Sequence, residues 1–264
     1  PKGAPNLTSF YRDLLWKNGS TSGKIEEMAK YNDLRGRALL FLLCLWSLWF
    51  ISFSLRMLFS PILPLLEDEY LVTHAQASGI FVFLSAGYGV SVMIAGLFSG
   101  GFGYKKTILF SLLLLGLICL LIPFLLQFWL LYAFAAALGL LVGFYVPAAI
   151  PLITEHYAEK DWGKVLAIHD TGASIAVFAT PFIVLFLLRF LSSWRGMFVV
   201  YGLVFLASAL IFSFACREVK VLSPPRTVFR DLMKRASLWR LSILWMLAVG
   251  ANLGVYSIVP LYLS

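Results

Sequence analysis

An all-α, polytopic membrane helix bundle is the fold class predicted by composition, segment length and charge placement together. Of the 264 residues, 61% are hydrophobic and 13% charged, and the mean hydropathy is +0.88. An ordinary soluble domain is about half apolar and roughly a quarter charged. Too few charges remain to cover a globule of this size with a wetted surface, which excludes a soluble enzyme, a disordered region and a fibrous repeat. Seven apolar segments are long enough to cross a hydrocarbon core about 30 Å thick, which takes roughly 20 residues. The basic residues, which give a net charge of +8, sort to one side of those segments.

The elements follow in chain order. Residues 1–37 are polar and are expected to be a cytoplasmic N-terminal segment. Within it, Leu14 and Trp16 with Arg12 and Lys17 make either a short amphipathic surface helix or a solvated tail. The predicted spans are Ala38 to Leu66, Ala77 to Gly96, Thr107 to Leu126, Phe128 to Ile153, Val165 to Leu188, Gly196 to Cys216 and Leu241 to Leu263. Pro123 and Gln127 are the only punctuation between the third and fourth. Residues 38–216 thus form a six-helix unit, 217–240 a basic cytoplasmic linker, and 241–264 a further helix. Pro61, Pro64, Pro147, Pro151 and Pro181 predict kinks within spans. Cys44, Cys119 and Cys216 all lie in apolar runs and read as small core hydrophobes.

With the N-terminus inside, 18 of the 21 basic residues fall on the cytoplasmic side. Only Arg189 and Arg195 fall outside, and Arg56 lies within a span. Cytoplasmic loops of membrane proteins carry such an excess of Lys and Arg, so the net charge describes orientation and needs no nucleic acid to explain it. Seven-helix receptors have the opposite orientation. The chain has no initiator Met or cleavable leader and stops one residue after an apolar run, so it is expected to be truncated at both ends.

Between the second and third spans stands Gly96-Leu97-Phe98-Ser99-Gly100-Gly101-Phe102-Gly103-Tyr104-Lys105-Lys106. Glycines followed by paired basic residues resemble the loop signature of the major facilitator superfamily. Gly96, Gly103, Lys105 and Lys106 match it, while Gly100 stands where that family has an acid. Trp194-Arg195-Gly196-Met197-Phe198 is similar to the family's usual start of the sixth span. Trp162-Gly163-Lys164 and the long basic connection after the sixth span also agree. Two subclass signatures are missing: Ala135 replaces a fourth-span arginine, and Thr180-Pro181 replaces a Gly-Pro pair. The resemblance implies a six-helix half plus the first helix of a second half, related by an axis along the membrane normal. A faint repeat supports it: Pro64 aligned with Pro260 sets Arg56 opposite Asn252, each eight residues upstream.

The residues themselves point to a site. Arg56 lies 11 residues before Glu67, hence roughly 16 Å below the outer boundary at about 1.5 Å per residue. An arginine this deep costs at least about 2.5 kcal/mol, and its fixed fork suits a carboxylate or phosphate. Snorkelling would have to reach past two helical turns, so the alternatives are an internal ion pair or a ligand. Asp170, the only acid well inside a span, and its neighbour His169 read either as a coupling or gating pair or as an interfacial pair at the cytoplasmic mouth. Tyr88, Tyr145 and Tyr256 present hydroxyls to a central cavity or pack as ordinary amphipathic rings. Asn252 sits between Gly250 and Gly254, which loosen the helix near its centre. Gly139 and Gly143 form a stripe that lets helices approach closely.

The expected function is a secondary active transporter working by alternating access on a small organic anion. The substrate-binding residues would be Arg56, Asn252, Tyr88, Tyr145 and Tyr256. The alternatives are an efflux carrier for drugs or metabolites and a seven-helix receptor or sensor. His74, His156 and His169 are scattered, no nucleophile elbow or phosphate loop occurs, and no enzyme activity, cofactor or metal is expected. The expected partners are the bilayer, an anionic small molecule and a coupling proton or ion, with no nucleic acid. The expected setting is a monomer in the cytoplasmic (inner) membrane.

Overall fold

The structure, a computed structural model, describes residues 35–191 and 193–216 and isolated positions between 236 and 247. The N-terminal segment, most of the basic linker and the predicted seventh span, with Asn252 and Tyr256, lie outside the described residues. Those described form helices α1 (Arg37–Tyr70), α2 (His74–Phe102), α3 (Tyr104–Leu121), α4 (Phe128–Gly143), α5 (Tyr145–His156), α6 (Trp162–Leu191) and α7 (Trp194–Ala215). Six stretches are long and apolar enough to cross a membrane, with α4 and α5 together making the fourth.

Local chemistry sets the boundaries. At 34 residues, α1 is about 51 Å long at 1.5 Å per residue, so it outruns the hydrocarbon and ends in the polar run Glu67–Tyr70. Leu71 adopts a left-handed conformation (φ 52°) and returns its N–H to the Glu67 carbonyl. Thr73 then opens α2 with a reciprocal capping box to Gln76. The glycine-rich segment is not a loop along its length: α2 stays helical through Phe102, and Gly103 alone makes the turn, at φ 97°, where a side chain would be strained. Between the third and fourth spans, a 3-10 turn at Ile122–Phe124 and extended backbone at Leu125 and Gln127 interrupt the helix.

The fourth span is two helices, not one. Pro147 has no N–H to give the Gly143 carbonyl, and the Phe144 N–H turns to Leu141, three residues back, at 3.2 Å. By contrast, Pro61, Pro64 and Pro181 lie inside unbroken α1 and α6.

Three helix pairs build the bundle: α1 with α6, α2 with α4, and α3 with α7. Glycine makes each approach close. A Cβ at Gly139 would lie 1.9 Å from the Leu84 carbonyl oxygen, and one at Gly87 would lie 2.0 Å from that of Ala136. Gly116 and Gly202 face each other between α3 and α7, and Gly172 meets the Trp46 carbonyl. In span numbers the pairs are first with fifth, second with fourth, and third with sixth. Exchanging spans one to three with four to six leaves this set unchanged, as two inverted three-helix units require.

The two ends of the bundle differ: the one with Lys105, Lys106, Lys160 and Lys164 is the basic end, and the one with Glu67, Asp68 and Glu69 is the acidic end. At one, the Tyr157 hydroxyl donates to Ala38 at 2.5 Å, and Lys105 Nζ donates to the Ser213 carbonyl at 2.8 Å, capping the last turn of α7. At the other, Glu69 accepts from Arg195 and from Trp194 Nε1. Arg195 also donates to the carbonyls of Pro123 (3.1 Å) and Leu125 (3.3 Å) and to the Tyr70 hydroxyl (3.2 Å). That cluster ties the ends of α1 and α7 to the α3–α4 connection.

Candidate functional site

Two faces of α1 behave oppositely at mid-span. Ser54 is saturated, bonded to Thr180 of α6 at 2.8 Å and to Tyr201 of α7 at 2.5 Å. Two residues on, about 200° around the helix, Arg56 is 6% exposed and has no such partner. Its guanidinium carbon lies 4.4 Å from the Tyr88 ring centroid and 5.2 Å from that of Phe53. Its Nε makes no hydrogen bond. The ion pairs among the described residues are Glu67 with His74 and Glu69 with Arg195, both at the acidic end. Aromatic faces therefore replace a carboxylate as the neighbours of this charge. Such cation–π contacts contribute about 0.5–2 kcal/mol and leave the in-plane N–H groups free.

Toward the basic end, α1 presents Trp49 to a stack of nearly parallel rings. The Trp49 and Tyr145 centroids are 5.5 Å apart at 10°, and those of Trp49 and His169 are 6.1 Å apart at 10°. The Tyr145 hydroxyl lies 2.6 Å from the Leu45 carbonyl and 3.1 Å from His169 Nε2. A carbonyl only accepts, so the single tyrosine proton goes to Leu45. His169 must then donate from Nε2–H to the tyrosine oxygen, which assigns the proton to that nitrogen. Trp46 Nε1 adds a bond to Thr171 Oγ1 at 2.9 Å.

The residues expected from sequence separate as follows. Arg56 and Tyr88 are brought together, and Tyr145 and His169 form a second group linked to the first through Trp49 and Phe53. His169 and Asp170 are not a contact pair: consecutive helix positions point about 100° apart, so His169 is buried and Asp170 is exposed. Asp170 stays within electrostatic reach of Tyr88 and His169. Gly96 lies in α2, Gly103 makes the turn, Lys105 caps α7 and Lys106 is exposed. Gly139 and Gly143 pack α4 on α2. Ala135, where a family arginine would fall, is fully buried. Sequence reasoning passed over Trp49, Ser52, Phe53 and Ser91. Stepping from Arg56 by four and seven residues along one helix face would have found Ser52 and Trp49.

At the acidic end, a groove of about 350 Å³ is lined by Leu65, Asp68, Glu69, Leu188, Ser193 and Trp194. Its carboxylates make it unsuited to an anion. No group of three metal-ligating side chains occurs among the described residues.

Fold and site together define a polytopic helical membrane protein with a desolvated cation at the centre of its bundle. Residues 45–264 match the sequence model of the Major Facilitator Superfamily, and the chain belongs to that family. Two solved structures share the fold: a bacterial homolog of a human lysosomal transporter, Spinster, inward-facing, in unoccupied and occupied forms. The unoccupied form aligns at TM-score 0.65 and 17% identity, over 85% of this chain and 55% of that one. The occupied form aligns at 0.64 and 15%, over 85% and 53%. The chain thus spans about half the length of these relatives. No curated protein matches it.

Proposed function

We propose that this chain is the first half, with part of the second, of a secondary active transporter that moves a small organic anion by alternating access. The observation that carries the reading is Arg56: a buried guanidinium with no carboxylate partner among the described residues and its in-plane donors unspent. An uncompensated charge in a low-dielectric interior is costly, and an anionic ligand at that position offsets the cost. Tyr88 and Phe53 hold the guanidinium in place from its faces. Asn252 and Tyr256, which lie outside the described residues, remain proposed binding residues. Family membership supports a carrier in which one half rocks against the other around a central site. The structural neighbours, a bacterial homolog of a lysosomal transporter, are consistent with that mechanism.

In this reading Asp170 serves proton coupling, and His169, bonded to Tyr145, holds the ring stack in place. The excess of basic residues supports a cytoplasmic N-terminus, and in this reading the carrier works as a monomer in the inner membrane. A second reading, export of amphipathic metabolites, draws support from the aromatic faces of Trp49, Phe53 and Tyr88. Reconstituted full-length carrier separates the two by uptake of labelled carboxylates against hydrophobic cations. Anion transport should predominate and should be lost in Arg56→Ala. Undiminished anion uptake and affinity in that variant would refute the reading.

A further inference from the structure

Among the described residues, four fully shielded side-chain polar atoms have no hydrogen-bond partner: Trp49 Nε1, Ser52 Oγ, Arg56 Nε and Ser91 Oγ. Three of them belong to α1 and fall within about 60° of one another at 100° per residue. Ser52 stands on the order of 6 Å, and Trp49 on the order of 10 Å, from Arg56 along the helix toward the basic end. Ser91, one turn past Tyr88 on α2, turns its hydroxyl against Gly143 of α4 and belongs to that helix contact. Serines in helices ordinarily satisfy themselves on the carbonyl four residues back, as Ser47 does on Leu43 at 2.8 Å. Ser52 does not, although Ser54 beside it is bonded twice.

We propose that Ser52 and Trp49 form a second subsite of the Arg56 site and bind a neutral acceptor on the transported anion. The inference rests on the reading of Arg56 as the anion-binding residue. A tryptophan N–H can only donate and a serine hydroxyl readily does so, so this face of α1 offers donors to an oxygen acceptor. The acceptor is neutral because Arg56 is the single buried Lys or Arg among the described residues; a second carboxylate would find no counter-charge there. The substrate class is therefore a monocarboxylate bearing a hydroxyl, ketone or amide oxygen on the order of 6–10 Å from its charge, the spacing set by one to two helical turns. The donors are shielded from water by the helices of this half itself, as Arg56 is.

The test compares two isosteric probes, 6-hydroxyhexanoate and heptanoate, in a binding assay on the reconstituted full-length carrier. The hydroxy acid should bind on the order of tenfold more tightly, because a site built to hydrogen-bond an oxygen rejects the analogue that lacks it. Ser52→Ala should bring the ratio toward one while leaving heptanoate affinity unchanged. Trp49→Phe should do the same, and it keeps the ring stack on Tyr145, so the loss is that of the indole N–H. Equal affinities in the unsubstituted carrier would overturn the proposal. So would variants that weaken both probes alike, which marks Ser52 and Trp49 as packing residues. Binding of neither probe would overturn the Arg56 reading itself.

Discussion

The guanidinium carbon of Arg56 sits 4.4 Å from the centroid of the Tyr88 ring, face-on to a neighbour that neutralises none of its charge. Attraction to the ring quadrupole persists without the phenol oxygen. Tyr88→Phe should therefore keep anion affinity within about twofold. Tyr88→Ala should lose about 0.5–2 kcal/mol, a few-fold to roughly thirtyfold in dissociation constant. Titrating a labelled carboxylate against both variants checks this. If Phe and Ala are equally damaging, the hydroxyl carries the contact and the ring face does not.

Helix approach gives a second prediction, on stability. A Cβ at Gly139 would stand 1.9 Å from a backbone oxygen of α2, whereas one at Gly101 would meet nothing within 4 Å. A backbone carbonyl cannot swing aside as a flexible side chain can, so the helices must separate. Gly139→Ala should destabilise by at least the ~1–3 kcal/mol typical of overpacking. Gly101→Ala should be neutral or slightly stabilising, since alanine is the better helix former. Thermal unfolding in detergent reads both, and equal melting temperatures would contradict the close α2–α4 contact.

At the acidic end the question is whether the ion pair or the carbonyl bonds of Arg195 matter more. Its side chain is 26% exposed and that of Glu69 36% exposed, so the pair itself contributes on the order of 1 kcal/mol or less. The bonds to Pro123 and Leu125 satisfy carbonyls that the interrupted helix leaves open. Arg195→Ala should thus cost about 1.5–3 kcal/mol and exceed Glu69→Gln. High salt should reduce the difference between Glu69→Gln and the unsubstituted protein and leave the Arg195→Ala loss nearly intact. A larger loss in Glu69→Gln would reverse the assignment.

The spans were legible because 20-residue apolar runs interrupted by charge have one stable solution in a bilayer. Arg56 was legible because a lone cation in such a run has no cheap explanation. Ser52 and Trp49 were not, because serine and tryptophan are ordinary in membrane helices. Only packing distinguishes Ser52, unpaired, from Ser54, bonded to two neighbouring helices. The break in the fourth span was half legible. Pro147 announces a missing donor, but whether a helix bends or divides depends on what reclaims the freed carbonyl. His169 and Asp170, neighbours in sequence, point about 100° apart on α6, one buried and the other exposed.

That separation yields the last prediction. His169 donates from Nε2–H to a tyrosine whose own proton is committed to Leu45, so one added proton changes only the free Nδ1. Gln can reproduce the Nε2–H donor with its amide, so His169→Gln should keep the Tyr145 bond while losing the ring contacts to Trp49 and Tyr145, about 0.5–1.5 kcal/mol each. Asp170 is exposed, carries no partner in the ion pairs of the described residues, and sits within electrostatic reach of Tyr88. In the coupling reading Asp170, the acid within α6, is the residue to substitute. Asp170→Asn should then abolish the stimulation of anion uptake by an imposed pH gradient while exchange at equal pH continues. His169→Gln should leave that stimulation largely in place. Vesicle uptake with and without the gradient decides the matter: stimulation that survives Asp170→Asn but disappears in His169→Gln would move coupling from the exposed carboxylate to the buried ring stack.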